Sequence, residues 1–277
     1  LWAFKTLHGK GLVYEGQRVM AYSWALQTPV SNFETRIDDA TRPRQDPAIT
    51  IAFTLHPKAG DAGPLRILVW TTTPWTLPSN LALAVGPEID YAIVQKGDVR
   101  YVIGAASIAA YKKELDGFEQ VGTCKGKDLV GRTYEPLFPY FAGRKNCFRV
   151  LGGDFVDTAE GTGVVHMAPG FGEDDQKVCE ANGIELVCPV DDRGCFTAEV
   201  PEWRGVQVFE ANKDIIKVLK DRSVLLRHVT YEHNYPHCWR TREPLIYKAI
   251  PGAWFVKVTA IKDKMIAHNK TIRWIPE

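Results

Sequence analysis

Short apolar stretches, separated by polar and turn-forming residues, run through most of the chain. Their lengths and their content of β-branched and aromatic residues are typical of strands. The predicted strands are residues 49–55, 65–72, 81–85, 91–95, 100–103, 148–151 and 163–167. Helical spacing of apolar residues predicts helices at 106–115, 174–181 and 208–220. Because strands dominate and helices are dispersed, the pattern predicts an α+β fold with a barrel-like sheet.

The two ends of the chain have a different character. The first residues show a short helical pattern, and the charged stretch 36–46, with Pro43 inside it and Pro47 after it, predicts a loop. Near the other end we predict a strand at 254–258 and a helix at 262–269. The sequence opens without a methionine and stops at 277 without a tail, so we expect a piece of a longer protein.

The most unusual stretch is residues 70–80, which contain four threonines, two tryptophans and two prolines. It follows the apolar run 65–69. Threonine suits strands, so a plain extension of the strand would explain residues 71–73. The two prolines instead require the chain to leave the sheet, which would present the hydroxyl groups at a strand end.

A second notable stretch is residues 161–175, with the sequence GTGVVHMAPGFGEDD. A lone histidine after two valines, here His166, is more often a hydrogen-bonded core residue than a catalyst. Glu173, Asp174 and Asp175 precede a predicted helix, where acidic residues are favoured as caps and by the helix dipole. Three acids cannot all cap one helix, so the residues leave a structural and a functional role for the third equally open.

Together these stretches resemble a known family. Residues 71–80, TTTPWTLPSN, closely resemble the threonine-rich motif in the editing domain of isoleucyl-tRNA synthetases, and 161–175 is similar to the second editing motif. The valyl and leucyl enzymes typically carry an Arg-Pro-acid triplet where this chain has Thr73, Pro74 and Trp75. Similarity continues in 28–34 and 235–240. It implies connectors to a catalytic domain at 1–47 and 227–277, and a β-barrel-like editing domain at 48–226.

The resemblance also implies roles for individual residues. Asp175 would bind the α-ammonium of the substrate. The amino-acid pocket would be lined by His166, Met167 and Ala168, with His166 in a steric and hydrogen-bonding role. The opposite wall would consist of hydroxyl groups that orient water and the terminal ribose, from Thr71, Thr72, Thr73 and Thr76. Asn80 would lie near the site, although a simple turn residue is nearly as good an interpretation.

The implied reaction is hydrolysis of mischarged Val-tRNA-Ile by direct attack of water, assisted by the neighbouring ribose hydroxyl. The expected partners are the acceptor end of tRNA-Ile and the rest of the parent synthetase. We expect no cofactor, because ATP and Mg²⁺ belong to the catalytic domain, whose HIGH and KMSKS signatures are missing here. Two alternatives stay open: a non-catalytic module that docks the tRNA end, and the editing domain of a valyl or leucyl enzyme.

Composition adds limits to this picture. The chain is 45% hydrophobic and 24% charged, with a net charge of +1, so we expect it to bind tRNA weakly by itself and with strong salt dependence. Six cysteines without a CxxC pair indicate reduced thiols in the cytoplasm. Only Cys238 lies near the connectors, where relatives hold zinc, so we predict no metal. The apolar runs are too short for a membrane span, and we expect a monomer.

Overall fold

The computed structural model describes residues 1–275, and the last two residues of the connector predicted at 227–277 lie outside that range. Helices α1 to α5 are Trp2–Gly9, Gly126–Leu129, Glu173–Ala181, Val208–Asp221 and Lys262–Asn269. Strands β1 to β12 are Val13–Ser23, Thr28–Pro29, Thr41–Leu55, Leu65–Thr71, Ala82–Val85, Asp90–Lys96, Val99–Gly104, Glu119–Lys125, Arg149–Gly152, Val164–Met167, Leu225–Pro236 and Ile246–Val256. Short 3₁₀ helices occur at Pro74–Ser79, Ala105–Tyr111, Pro201–Trp203 and Val258–Ile261.

The chain divides into two compact units. The smaller one consists of Leu1–Arg18 and Ala249–Glu277, of which 276 and 277 are not described, and the larger one is Val19–Lys248. The domain boundaries predicted near 47 and 227 stay predictions. Strands β3 and β11 run through those two positions without a break, and they pair with each other there. No helix in residues 1–275 is long and apolar enough to cross a membrane.

The larger unit is built around two sheets. The first has six strands in the order β11-β3-β4-β7-β6-β8, with one parallel pair, β4 and β7. The second has the order β10-β5-β9, and β10 packs against β4. A third sheet has the order β12-β1-β2. The predicted α+β class is confirmed, but among the described strands the barrel-like sheet takes the form of two open sheets in contact.

The core lies where these sheets meet. Ile51 and Phe53 in β3 and Ile67 and Leu68 in β4 are completely shielded from solvent. Strands buried on both faces need continuous apolar runs rather than alternating ones, which explains the composition of these segments. Because β4 lies in the middle of this core, the residues that follow it begin from a rigid position.

The predicted loop at 36–46 is wrong for its second half. Residues 41–46 belong to β3 and pair antiparallel with β11, with Pro43 opposite Asn234. This part of β3 extends beyond its pairing with β4, which begins at Ile49. One edge is therefore unpaired, and a proline that lacks an N–H is tolerated at such an edge.

The predicted α-helix at 106–115 is a 3₁₀ helix, Ala105–Tyr111, followed by turns. Tyr111 is buried and its hydroxyl lies 2.8 Å from that of Thr50 in the sheet. This tertiary contact outweighs the helical preference of the alanines. The strands β8 and β11 were not predicted, because their exposed polar residues hide the alternation. Helices α3, α4 and α5 match their predictions within one residue.

Candidate functional site

The threonine-rich turn forms a row of hydroxyl groups at the end of β4. Thr71 Oγ1 accepts the N–H of Thr73 at 3.1 Å, and the two hydroxyl groups lie 3.2 Å apart. The hydroxyl of Thr73 is in turn 3.2 Å from that of Thr76, which donates to the Thr73 carbonyl at 2.8 Å. Thr72 is half-buried beside this row. The structure therefore brings Thr71, Thr73 and Thr76 together, and their role as a wall of the pocket stays a prediction.

Trp75 fixes the turn from behind. Its backbone N–H donates to Asn212 Oδ1 in α4 at 2.9 Å. Its ring packs edge-on against Phe171, with centroids 4.9 Å apart. Phe171 belongs to the second motif, so one buried tryptophan ties both motifs to the same helix.

His166 connects the two sheets. It lies in β10, paired with Leu83 of β5, and its side chain is buried. Its Nε2 is 2.8 Å from the hydroxyl of Thr76. Burial lowers the pKa of His166 from 6.5 to about 4, so the ring is neutral at physiological pH. A neutral buried ring suits the expected steric and hydrogen-bonding role.

Asn80 belongs to the same network and is not only a turn residue. Its Nδ2 donates to the carbonyl of Ala82 at 2.9 Å and lies 3.4 Å from His166 Nδ1. Its Oδ1 accepts the hydroxyl of Tyr134 at 2.6 Å. The sequence did not predict a role for Tyr134 or for Asn212, which binds the backbone of Trp75. Each is an isolated residue far from either motif in the chain.

Asp175 is separated from the two acids beside it. Glu173 and Asp174 are exposed and pair with Lys177, at 3.2 and 3.5 Å. The side chain of Asp175 points toward the preceding strand, and its Oδ2 accepts the N–H of Ala168 at 2.9 Å. The third acid of the run is therefore the least exposed of the three.

The environment of Asp175 disfavours its charge. Its side chain keeps some contact with solvent, but protein atoms enclose most of it. This burial raises the pKa of Asp175 from 3.8 to about 7, the charge of Asp174 raises it further, and the bond from Ala168 opposes the shift. A bound cation therefore stabilises the ionised form of Asp175 more than it would stabilise a carboxylate at the surface.

The glycines of the second motif make room for this arrangement. A Cβ on Gly172 would lie 2.6 Å from Asp175 Cγ, and a Cβ on Gly170 would lie 2.1 Å from the carbonyl oxygen of Val187. A larger residue at Gly170 would require the backbone to move, and one at Gly172 would displace the side chain of Asp175. Met167 and Ala168, the predicted pocket wall, are buried next to this loop. Their role as a wall stays a prediction.

No group of three or more His, Cys, Asp or Glu side chains within residues 1–275 could hold a metal ion. Residues 233–238 contain two histidines and a cysteine, which are common metal ligands. His233 Nε2, however, lies 2.9 Å from Asp46 Oδ2. Cys238 packs in an apolar cluster with Ala21, Val30 and Leu245. The absence of a metal and of a cofactor stays a prediction.

Comparison with known proteins identifies the family of this chain. The family model for tRNA synthetases class I (I, L, M and V) matches residues 1–277, so the chain belongs to that family. The crystal structure of GlLeuRS-CP1 has the same fold, with a TM-score of 0.51 and 15% identity over 66% of this chain and 98% of that one. The editing domain of the P. knowlesi cytosolic leucyl-tRNA synthetase has a TM-score of 0.46 and 10% identity, over 70% of this chain and 99% of that one.

Within the family, the predicted resemblance to isoleucyl-tRNA synthetases is confirmed. The chain is 58% identical to the isoleucine–tRNA ligase of Rickettsia africae (strain ESF-5) over 282 aligned residues. The isoleucine–tRNA ligase of Rickettsia conorii (strain ATCC VR-613 / Malish 7) is also 58% identical. Each alignment covers all of this chain, and the chain spans 26% of the length of these relatives.

The raised pKa of Asp175 predicts a pH-dependent stability. Between pH ~4 and ~7 the folded chain keeps a proton on this carboxyl that the unfolded chain releases, so this group lowers stability as the pH rises through that window. Asp175→Asn keeps an acceptor for the Ala168 N–H and removes this loss. Urea unfolding should therefore show a free energy of unfolding that increases, relative to the unchanged chain, from pH ~4 to ~8.

The matched control is Asp174→Asn, since Asp174 is exposed and lies in the same helical turn. It should show only a small part of this gain, because burial, and not the charge of Asp174, is the main cause of the raised pKa of Asp175. A stability difference for Asp175→Asn that stays constant with pH would mean that the carboxyl is solvated like a surface group.

Proposed function

We propose that this chain is an editing site that hydrolyses Val-tRNA-Ile. The observation that carries the proposal is the inward turn of Asp175 to the N–H of Ala168, two residues after His166, whose ring lies 2.8 Å from the hydroxyl of Thr76 in the hydroxyl row. An aminoacyl ester has a free ammonium group on its acyl side. A desolvated carboxylate is a strong partner for that group, because a charge-assisted hydrogen bond gains strength where water is excluded.

Discrimination by size supports valine as the acyl group. One missing methylene changes binding in an apolar pocket by only about 1–3 kcal/mol, and isoleucyl-tRNA synthetases are themselves the established example of this limit. This limit is overcome by a second, hydrolytic site that excludes the larger side chain of isoleucine. The buried ring of His166, held 2.8 Å from Thr76, is a fixed wall of the kind that such exclusion needs.

The chemistry fits direct attack by water. A threonine hydroxyl is a poor nucleophile unless a base activates it, and His166, with a pKa lowered to about 4, is a weak base. We propose that Thr72 and the hydroxyl row hold the water and the terminal ribose, and that the neighbouring ribose hydroxyl assists the departure of the leaving oxygen. Asp175 holds the ammonium and so places the ester carbonyl against the water.

A cleft beside the motifs offers a path for the tRNA end. It has a volume of about 420 Å³ and runs along Trp70 and residues 159–165. Trp70 and Val165 directly precede Thr71 and His166 in strands β4 and β10, so the cleft borders the strands that carry the proposed site, although the site residues themselves do not line it. Indole rings stack on nucleobases. We propose that the acceptor end of tRNA-Ile lies here, and that the rest of a cytoplasmic, monomeric synthetase supplies the further contacts.

The main alternative is a module that docks the tRNA end without hydrolysis. Such a module would use the cleft, but docking alone does not explain why the Asp175 carboxylate is largely enclosed by protein atoms. An editing site of a valyl or leucyl enzyme is less favoured, because Thr73, Pro74 and Trp75 replace the triplet of those enzymes and the high identity is to isoleucine–tRNA ligases.

Removal of the proposed anchor should abolish hydrolysis. In a full-length synthetase that carries this chain, Asp175→Ala should lower kcat/KM for Val-tRNA-Ile deacylation roughly 100-fold or more, the cost of an unpaired buried charge. The matched control is Asp174→Ala, which removes an exposed acid from the same turn and should retain activity. Equal activity of both variants would contradict the proposed anchor, and no deacylation by the unchanged enzyme would favour the docking module.

Removal of the proposed wall should admit the larger substrate. His166→Ala takes away the buried ring, so correctly charged Ile-tRNA-Ile should become a substrate. Its rate of deacylation relative to Val-tRNA-Ile should rise roughly 10- to 100-fold, the range that one methylene can supply. Deacylation assays with both tRNAs measure this ratio, and an unchanged ratio would mean that another group performs the size exclusion.

A further inference from the structure

Tyr134 is a completely buried residue outside both sequence motifs. Its hydroxyl donates to Asn80 Oδ1 at 2.6 Å. Burial raises the pKa of Tyr134 well above its usual value, so the phenol keeps its proton at physiological pH and can act as a donor throughout. Its ring packs edge-on against Phe53 and Phe148, with centroids 5.3 and 6.0 Å away, which fixes the direction of the hydroxyl.

This donor stabilises the orientation of the Asn80 amide that the Ala82 carbonyl also requires. The Ala82 carbonyl can only accept a hydrogen bond, so the amide nitrogen of Asn80 must face it, at 2.9 Å. The amide oxygen then faces Tyr134, which supplies the proton it needs. The second N–H of the same amide lies toward His166 Nδ1, at 3.4 Å.

The orientation of Asn80 in turn selects one tautomer of His166. A donor facing Nδ1 makes that nitrogen the acceptor, so the ring proton lies on Nε2. Nε2 then donates to Thr76 Oγ1 at 2.8 Å, and the Thr76 proton is directed to the Thr73 carbonyl. The Thr73 hydroxyl can donate to Thr76 and accept from Thr71. All the protons of the row are thereby assigned.

We infer that Tyr134 is a positioning residue for the editing reaction. Acting through Asn80, it sets the tautomer of His166 and with it the direction of the threonine hydroxyl groups that face the ester. Tyr134 itself touches no substrate. This inference rests on the proposed function for its kinetic consequence, whereas the tautomer of His166 can be measured without any substrate.

The substrate-free test uses ¹⁵N NMR of the His166 ring in this chain. The unchanged chain should show the Nε2–H tautomer, and Tyr134→Phe should shift the ring to a mixture of tautomers, because Asn80 then loses one of its two anchors. Phenylalanine keeps the ring contacts with Phe53 and Phe148, so the variant should fold. The matched control is Tyr111→Phe, which also removes a buried hydroxyl bond, to Thr50, away from the network. It should leave the tautomer unchanged.

The kinetic test uses Val-tRNA-Ile deacylation by a full-length synthetase that carries the chain. Tyr134→Phe should lower kcat roughly tenfold, the factor expected for one lost hydrogen bond, with little change in KM. Tyr111→Phe should leave kcat unchanged. An unchanged tautomer in Tyr134→Phe would overturn the inference, and so would equal losses of kcat in the two variants. If the unchanged enzyme fails to hydrolyse Val-tRNA-Ile, the proposed function falls and the tautomer measurement alone decides the role of Tyr134.

Discussion

The hydrogen bond between Thr76 and His166 is the contact on which the candidate site depends. Thr76 lies in the turn that follows β4, in the six-stranded sheet, and His166 lies in β10, in the three-stranded sheet. Among the described strands, no pairing joins these two sheets, so side-chain contacts determine how their strand ends are arranged. A short bond between two buried groups, supported by the packing of Trp75 on Phe171, fixes the two strand ends in one arrangement. These two contacts therefore tie the threonine-rich turn to the second motif.

The second constraint is the unfavourable position of Asp175. A carboxyl that would titrate near 4 in water is held where its pKa is about 7. Proteins tolerate such a cost at binding sites, where a ligand relieves it. The Ala168 N–H holds the side chain in place, and Gly172, the N-cap residue of α3, leaves room for it. The loop therefore both begins the helix and positions this carboxylate.

The sequence predicted the fold where apolar runs were long or continuous, as in β3, β4 and α4. It failed at the edge part of β3, because two prolines and several charges resemble a loop while an open sheet edge accepts both. For the site, the two motifs located the threonines, His166 and Asp175. The supporting residues could not be found in this way, since Tyr134 and Asn212 act through single hydrogen bonds across long stretches of chain. Their role depends on burial and on the direction of their hydrogen-bonding groups, and both are set only when the chain folds.

The most direct test of the central claim is the titration of the Asp175 carboxyl by ¹³C NMR, with and without an amide-linked, non-hydrolysable valyl-adenosine. In the free chain the carboxyl should titrate near the raised value of about 7. When the ammonium of the ligand occupies the site, the pKa should return toward the ordinary value of about 3.9. A pKa that is the same with and without bound ligand would contradict the assignment of Asp175 as the ammonium partner.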